Sequence, residues 1–308
     1  MRALLFPGQG SQSIGMGRDI FNKYDLVKKI FNEADEILGF KISKIILEGP
    51  SDEINKTQVT QPAILIVSYS IFKLLEELEK FDIKKFKFFC GHSLGEYSAL
   101  VCSNSLKFSD ALYLLNERGK SMQEAVKVGD GKMIAVLGCD IAKIKEILDD
   151  NKESNFMCEI ANDNSTGQVI LSGLKKSVEK IQEVLKNQKI KSVVLPVSAP
   201  FHCSLMRPAS EKMLSKISSI NFLKPNISII SNVTANPEND PQKIKDLLIK
   251  QIFSLVRWRE SMIFMGNNEV KEFIEIGPGK VLSGLVKRTL KNHAVLNLNT
   301  DEDIQNYK

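Results

Sequence analysis

The chain has 308 residues, 43% of them hydrophobic and 26% charged, which excludes a disordered, collagen-like or coiled-coil protein. Forty-two lysines and arginines against 37 acidic residues leave a net charge of only +5. That charge is too small and too dispersed for a nucleic-acid-binding face.

The opening Leu4-Leu5-Phe6 reads as a short buried strand that runs into the glycine-rich loop Pro7 to Gly10. It is too short for a secretory signal, and no apolar run approaches the roughly 18 residues that span a bilayer, so a cytoplasmic protein with no membrane segment is expected. Ile20, Phe21, Tyr24, Val27, Ile30, Phe31, Ala34, Ile37 and Leu38 recur at helical spacing, predicting one helix over 18–38. A second helix is expected over 63–75, with Pro62 in its first turn. Residues 86–90 form a strand, followed by Gly91-His92-Ser93-Leu94-Gly95 and helices over 96–102 and 109–125.

The middle of the chain reads strand 132–138, helix 141–148, strands 156–161 and 168–172, helix 178–185 and strand 192–197. That β-α-β-β-α-β order is the ferredoxin-like arrangement, expected as a subdomain over 128–197 inserted into a body made of 1–127 and 198–308. The body resumes with strand 227–231, helix 244–255, strand 271–276 and helix 281–290. Strands alternating with helices predict an α/β fold with a mostly parallel sheet covered on both faces. The tail 301–308 is polar and expected to be loosely held.

Gly91-His92-Ser93-Leu94-Gly95 fits the G-x-S-x-G nucleophile elbow, in which a serine sits on a sharp strand-to-helix turn. The alternative is a plain turn with Ser93 as a helix cap. A serine nucleophile needs a base, and the chain has three histidines, His92, His202 and His293. His92 adjoins the serine and should be thrown to the other side of the turn. His293 lies in a polar stretch and is expected at the surface. His202 follows the end of a strand, where catalytic residues of open α/β sheets collect, and comes after the serine as in the α/β-hydrolase order. Among acidic residues, Asp163 and Glu275 are possible third members, but nothing singles them out, so a Ser–His dyad is expected. One oxyanion donor should be the Leu94 N–H and the other should come from Gly8-Gln9-Gly10, unless that loop is only a structural turn. Arg118 is either a solvated helix residue or a clamp for a substrate carboxylate. The cysteines, Cys90, Cys102, Cys139, Cys158 and Cys203, are odd in number and form no CxxC pair, so neither a disulfide framework nor a metal site is expected.

Phe6-Pro7-Gly8-Gln9-Gly10-Ser11-Gln12, Gly91-His92-Ser93-Leu94-Gly95-Glu96-Tyr97, Glu117-Arg118-Gly119, Ser198-Ala199-Pro200-Phe201-His202 and Glu275-Ile276-Gly277-Pro278-Gly279 occur in that order. Together they resemble the malonyl-CoA:acyl carrier protein transacylases of bacterial type II fatty acid synthesis, over almost the whole chain. The resemblance implies an α/β-hydrolase-like body with the inserted ferredoxin-like subdomain, and a ping-pong transfer of malonyl from malonyl-CoA to acyl carrier protein. It makes Ser93 the nucleophile, His202 the base, Leu94 and Gln9 the oxyanion donors and Arg118 the carboxylate partner. It assigns Gln251 to orient the histidine through its backbone carbonyl, although the flanking Lys250 and Ile252-Phe253 depart from the usual pattern. Phe201 matches malonyl-selective members and should crowd an α-methyl. No cofactor, metal, nucleic acid or membrane is implied, and a monomer is expected. Lys84-Lys85-Phe86-Lys87 and Lys287-Arg288 are either a docking surface for the carrier or solvated faces. The competing readings are a serine esterase or thioesterase on the same body, a stand-alone acyltransferase of a polyketide-type pathway and a catalytically silent carrier-binding module.

Overall fold

The computed structural model describes residues 1–308. The first part of the chain is β1 (Arg2–Phe6), α1 (Arg18–Lys23), α2 (Asp25–Leu38), α3 (Ile42–Glu48), α4 (Ser51–Ile54), α5 (Thr57–Glu77), β2 (Phe86–Gly91), α6 (Gly95–Cys102) and α7 (Phe108–Glu124). The middle is β3 (Gly131–Leu137), α8 (Ile141–Asp150), β4 (Cys158–Ser165), β5 (Gln168–Leu174), α9 (Lys175–Asn187) and β6 (Lys191–Val194). The remainder is α10 (Arg207–Ser219), β7 (Ser228–Ile230), β8 (Pro237–Glu238), α11 (Pro241–Gln251), α12 (Trp258–Asn267), β9 (Glu272–Ile276), α13 (Val281–Thr289), β10 (Ala294–Leu298) and α14 (Asp301–Asn306).

The main sheet has the order β10-β9-β1-β2-β7-β8. All its pairings are parallel except the short β7–β8 edge. Side chains alternate across it. Leu4, Phe6 and Phe89 point into the large core under α2, α5 and α7, while Ala3, Leu5, Phe88 and Cys90 meet Trp258 and Met262 of α12 and Leu285 of α13 on the other face. A second, antiparallel sheet has the order β4-β5-β3-β6, which is second, third, first, fourth in the β-α-β-β-α-β run. Ile134, Val136 and Leu171 bury under α8 and α9. Met133, Ala135 and Ile170, on the opposite face, join the large core instead, so this sheet is also a wall of the main body.

Several boundaries differ from the sequence expectation, each for a local reason. The helix expected over 18–38 breaks at Tyr24, whose backbone is extended (φ −117°, ψ 125°). The tail is helical rather than loose. Thr300 and Asp303 form a reciprocal capping box, Asp301 accepts from Lys23 and the Tyr24 hydroxyl, and Ile304 and Tyr307 are buried. Its polar composition concealed two apolar anchors and a cap. α5 begins at Thr57, so Pro62 lies inside it rather than in its first turn. Proline has no N–H for the Gln58 carbonyl one turn back, and Asn116 Nδ2 from α7 donates to that carbonyl at 3.0 Å instead. At 21 residues α5 is long and apolar enough to cross a membrane, but 83% of its apolar window is buried inside the protein. α3, α4, α10, β8, α12 and β10 have no counterpart in the sequence expectation. His293, expected at the surface, is partly covered, with its ring 5.8 Å from that of Phe273.

Candidate active site

β1 and β2 lie side by side, with Phe6 opposite Gly91. Both therefore deliver their following loops to one place at the carboxyl edge of the parallel sheet, where ligands of such sheets bind. The turn after β2 is too tight for ordinary residues. A Cβ on Gly91 would sit 1.8 Å from the Gly95 carbonyl carbon, and one on Gly95 would sit 2.2 Å from the Phe6 oxygen. Ser93, at the tip, has φ 53°, a conformation disfavoured for a residue with a side chain. The next residues open α6, so Ser93 stands at a helix N-terminus, where free N–H groups favour negative charge.

The Ser93 Oγ lies 2.8 Å from His202 Nε2, and His202 Nδ1 lies 2.9 Å from the Gln251 backbone oxygen. A carbonyl only accepts, so Nδ1 carries the proton and Nε2 is left as the acceptor for the serine hydroxyl. Gln251 can do this because of where its helix stops. A helix running to 255 would have spent the Gln251 carbonyl on the ladder. α11 ends at Gln251 itself, so that carbonyl is off the helical ladder, taking only a long 3.4 Å bond from Ser254 N, and is open to a side-chain donor like other carbonyls of a helix C-terminus. Asp163 and Glu275, the two acids considered for a triad, are occupied elsewhere. Asp163 is bound by Arg259, and Glu275 caps α13 by accepting from Leu282 N and Ser283 N.

Arg118 is 1% exposed. Its Nη1 donates to Gln61 Oε1 at 2.7 Å, and its Nη2 donates to Ser93 Oγ at 3.0 Å and to Gln251 Oε1 at 2.9 Å. Its Nε has no partner, and no carboxylate lies within ion-pair distance of it. The Tyr97 ring lies 5.8 Å away. A buried guanidinium held only by amides, a hydroxyl and a ring is an under-neutralised charge, beside the nucleophile. Burial is the main cause that pushes the His202 imidazole down to about 3, and the neighbouring Arg118 charge adds to it. The histidine is thus neutral at physiological pH, as a base must be.

These groups face a cavity of about 380 Å³, within the usual range for small-molecule sites. Gln9, Leu94 and Phe201 line it, and the antiparallel sheet supplies Met133, Asn162, Asn164 and Ile170 as its opposite wall. The backbone N–H groups of Gln9 and Leu94 donate to no other protein group. Gly8 is pressed against the His92 carbonyl, where a Cβ would come within 2.6 Å, so the loop after β1 is seated directly on the elbow. His92 turns away from the serine, with Nε2 2.9 Å from Asn164 Oδ1 and its ring 5.3 Å from that of Trp258.

Three polar residues of this region went unnoticed in the sequence. Asn232 Oδ1 accepts from Ser93 N at 2.7 Å, and Asn232 Nδ2 donates to Gly91 O at 2.8 Å. Glu96 is 3% exposed and accepts from Gln251 Nε2 and Asn232 N. Gln61 fixes Arg118. Gln61 precedes the proline of α5 and Glu96 stands in the Gly91–Tyr97 stretch, but sequence alone assigns neither a role.

The acyl transferase domain family matches residues 3–307. A malonyl CoA-acyl carrier protein transacylase of Bacillus subtilis is 41% identical, over 98% of this chain and 95% of its own. An acyl carrier protein S-malonyltransferase from Vibrio cholerae superposes with a TM-score of 0.96 at 39% identity, over 100% of this chain and 99% of its own. A malonyl-transacylase in complex with its type II PKS acyl-carrier protein gives 0.95 at 36%, over 99% and 97%. On these matches, spanning both sheets and all the elements that carry the Ser93 site, the chain belongs to the malonyl-CoA:acyl carrier protein transacylases of the acyl transferase family.

Proposed function

We propose that the protein moves a malonyl group from malonyl-CoA to the phosphopantetheine thiol of an acyl carrier protein, through an ester on Ser93, as a step of fatty acid biosynthesis. The observation that carries this reading is the Arg118 guanidinium, buried with no carboxylate within ion-pair distance and 3.0 Å from Ser93 Oγ. A substrate bearing a carboxylate two bonds from its reacting carbonyl carbon supplies the missing anion, with the partnerless Nε and the Nη2 hydrogen released from Ser93 Oγ as its two donors. An esterase or lipase has no use for a fixed cation in its acyl pocket.

In the first half-reaction His202 Nε2 takes the hydroxyl proton while Ser93 Oγ attacks the thioester carbonyl. The Leu94 and Gln9 N–H groups hold the tetrahedral oxyanion. The carbon–sulfur bond then breaks, and the coenzyme A sulfur leaves with the proton returned by His202. In the second half the carrier thiol gives its proton to His202 and attacks the ester, and Ser93 Oγ recovers that proton as it leaves. Gln251 keeps the imidazole in the Nδ1–H tautomer throughout. Phe201 limits the room beside the malonyl α-carbon, a discrimination worth only about 1–3 kcal/mol per methyl.

Mass spectrometry of the protein mixed with malonyl-CoA tests the scheme. A malonyl adduct should appear on the peptide containing Ser93, vanish in Ser93→Ala and move to added acyl carrier protein. An adduct that persists in Ser93→Ala removes the elbow from the chemistry. Release as free malonate without reaching the carrier would make the protein a thioesterase.

A further inference from the structure

Glu96 follows the elbow on the first turn of α6, yet it points inward and is almost fully buried. Its Oε2 accepts from Gln251 Nε2 at 2.7 Å and from Asn232 N at 3.1 Å. Each of those partners performs a second task. Gln251 presents its backbone oxygen to His202 Nδ1 and its side-chain oxygen to Arg118 Nη2, and its Nε2 also donates to Ser93 O at 3.1 Å. Asn232 clasps the turn by accepting from Ser93 N and donating to Gly91 O. The serine, the imidazole and the guanidinium therefore all rest on groups that converge on one carboxylate.

We propose that Glu96 is a positioning residue of the acyl transfer, whose charged carboxylate fixes Gln251 and Asn232 and through them sets His202 and Ser93 in register. The inference rests on the malonyl-transfer reading and deepens it. Charge matters for two reasons. Hydrogen bonds to an ionised acceptor are roughly twice as strong as neutral ones. An anion reached through the Gln251 amide also stabilises the imidazolium that forms at His202, where the Arg118 cation opposes it. The titratable groups facing Glu96 are Arg118 from α7, Cys90 from β2 and Tyr97 from its own helix. Gln251 of α11 and Asn232 are neutral. Burial pushes the Glu96 carboxyl up to about 7, against the lowering pull of its hydrogen bonds and of Arg118. His202 lies far lower, at about 3, so an activity limb near neutrality belongs to Glu96.

The test is the rate of Ser93 malonylation, followed by quenched-flow mass spectrometry from pH 5.5 to 8.5. Wild type should slow as pH falls through about 7 and Glu96 takes up a proton. Glu96→Gln keeps a side-chain oxygen for both donors but no charge. It should load about 10- to 100-fold more slowly at pH 8, show no limb near 7 and coincide with wild type at the acid end. A limb unmoved in Glu96→Gln, or a wild-type rate at pH 8, overturns the proposal. If Glu96→Gln does not fold, Glu96→Asp keeps the charge on a shorter arm and should load slowly while retaining a limb, and a wild-type rate there is equally fatal. A wild-type protein that never acquires malonyl on Ser93 refutes the transfer reading instead.

Discussion

His202 has a guanidinium for a neighbour, and that neighbour weakens it as a base in the resting site. Burial, and after it the Arg118 charge, disfavours the imidazolium. A malonyl carboxylate paired with Arg118 cancels one of those two effects, so a charged substrate strengthens the base that will act on it. Acetyl-CoA brings no such anion and leaves the buried cation unpaired. Arg118→Ala is accordingly expected to lower malonyl loading by about 10²–10³-fold, the usual consequence of removing one partner of a buried charge pair. Acetyl loading should fall far less, or rise. Competition between labelled malonyl-CoA and acetyl-CoA reads the ratio, and an equal loss for both would place the carboxylate elsewhere. The residues that make this arrangement were unevenly visible in the sequence. Ser93 stands in a five-residue pattern whose glycines have a steric purpose that is apparent from spacing alone. Arg118 is an arginine on a helix, like many that do nothing, and only the fold brings it within reach of Ser93. Glu96 was the least legible, since an acid in the first turn of a helix already has an ordinary explanation in the helix dipole.

Among the elements, the crossing of α5 and α7 decides where that arginine goes. Pro62 leaves the Gln58 carbonyl without its helical donor, and Asn116 supplies one from α7. One turn further, a Cβ on Gly119 would lie 2.4 Å from Gln58 Cα and 2.7 Å from the Thr57 oxygen. The two helices are thus in backbone contact, and Arg118, beside that contact, is carried inward toward Gln61. Gly119→Ala must push the helices apart. A loss of about 1–3 kcal/mol is expected, together with slower malonylation as Arg118 shifts. Chemical denaturation and the loading rate measure the two effects, and unchanged values for both would mean that the crossing tolerates a methyl group. Periodicity found most helices and strands, because alternation and helical spacing are properties of the chain itself. It failed where the deciding partner was remote. Near the start of α5 a side chain of α7 serves the Gln58 carbonyl, at the Tyr24 break the ring hydroxyl bonds Asp301 of the tail helix, and at the end of α11 the Gln251 carbonyl meets a histidine from another segment.

At the scale of the whole molecule, acid should loosen the structure through its buried histidines. Burial pushes His202 down to about 3 and lowers His92 as well, whereas both take up protons near 6.5 once unfolded. Below that pH the unfolded chain binds more protons, so the stability contributed by holding them neutral is complete above about 6.5. For His202 it is lost as pH falls toward about 3. By pH 5 the His202 share should reach about 2 kcal/mol. His202→Asn should therefore show a shallower decline in Tm between pH 6.5 and 5 than wild type. The Glu96 carboxyl, raised by burial, acts in the opposite direction between about 4.5 and 7 but is common to both proteins and cancels in the comparison. Parallel decline in the two proteins would mean that His202 is not held neutral by the fold. The architecture at this scale was largely readable, since the β-α-β-β-α-β run in the middle and the alternation around it define both sheets. That the second sheet would face the active cavity was not readable, because nothing in Met133, Ala135 or Ile170 says which layer they join.

Ser93 and His202 share φ values above +50°, so the two partners of the proton exchange both sit where a side chain is least comfortable. Such positions hold about 1–3 kcal/mol each. A glycine at either would relax the chain and silence it. Screens that reward heat resistance alone would drift toward such dead sequences, and any attempt to harden this protein has to be scored on turnover at every round.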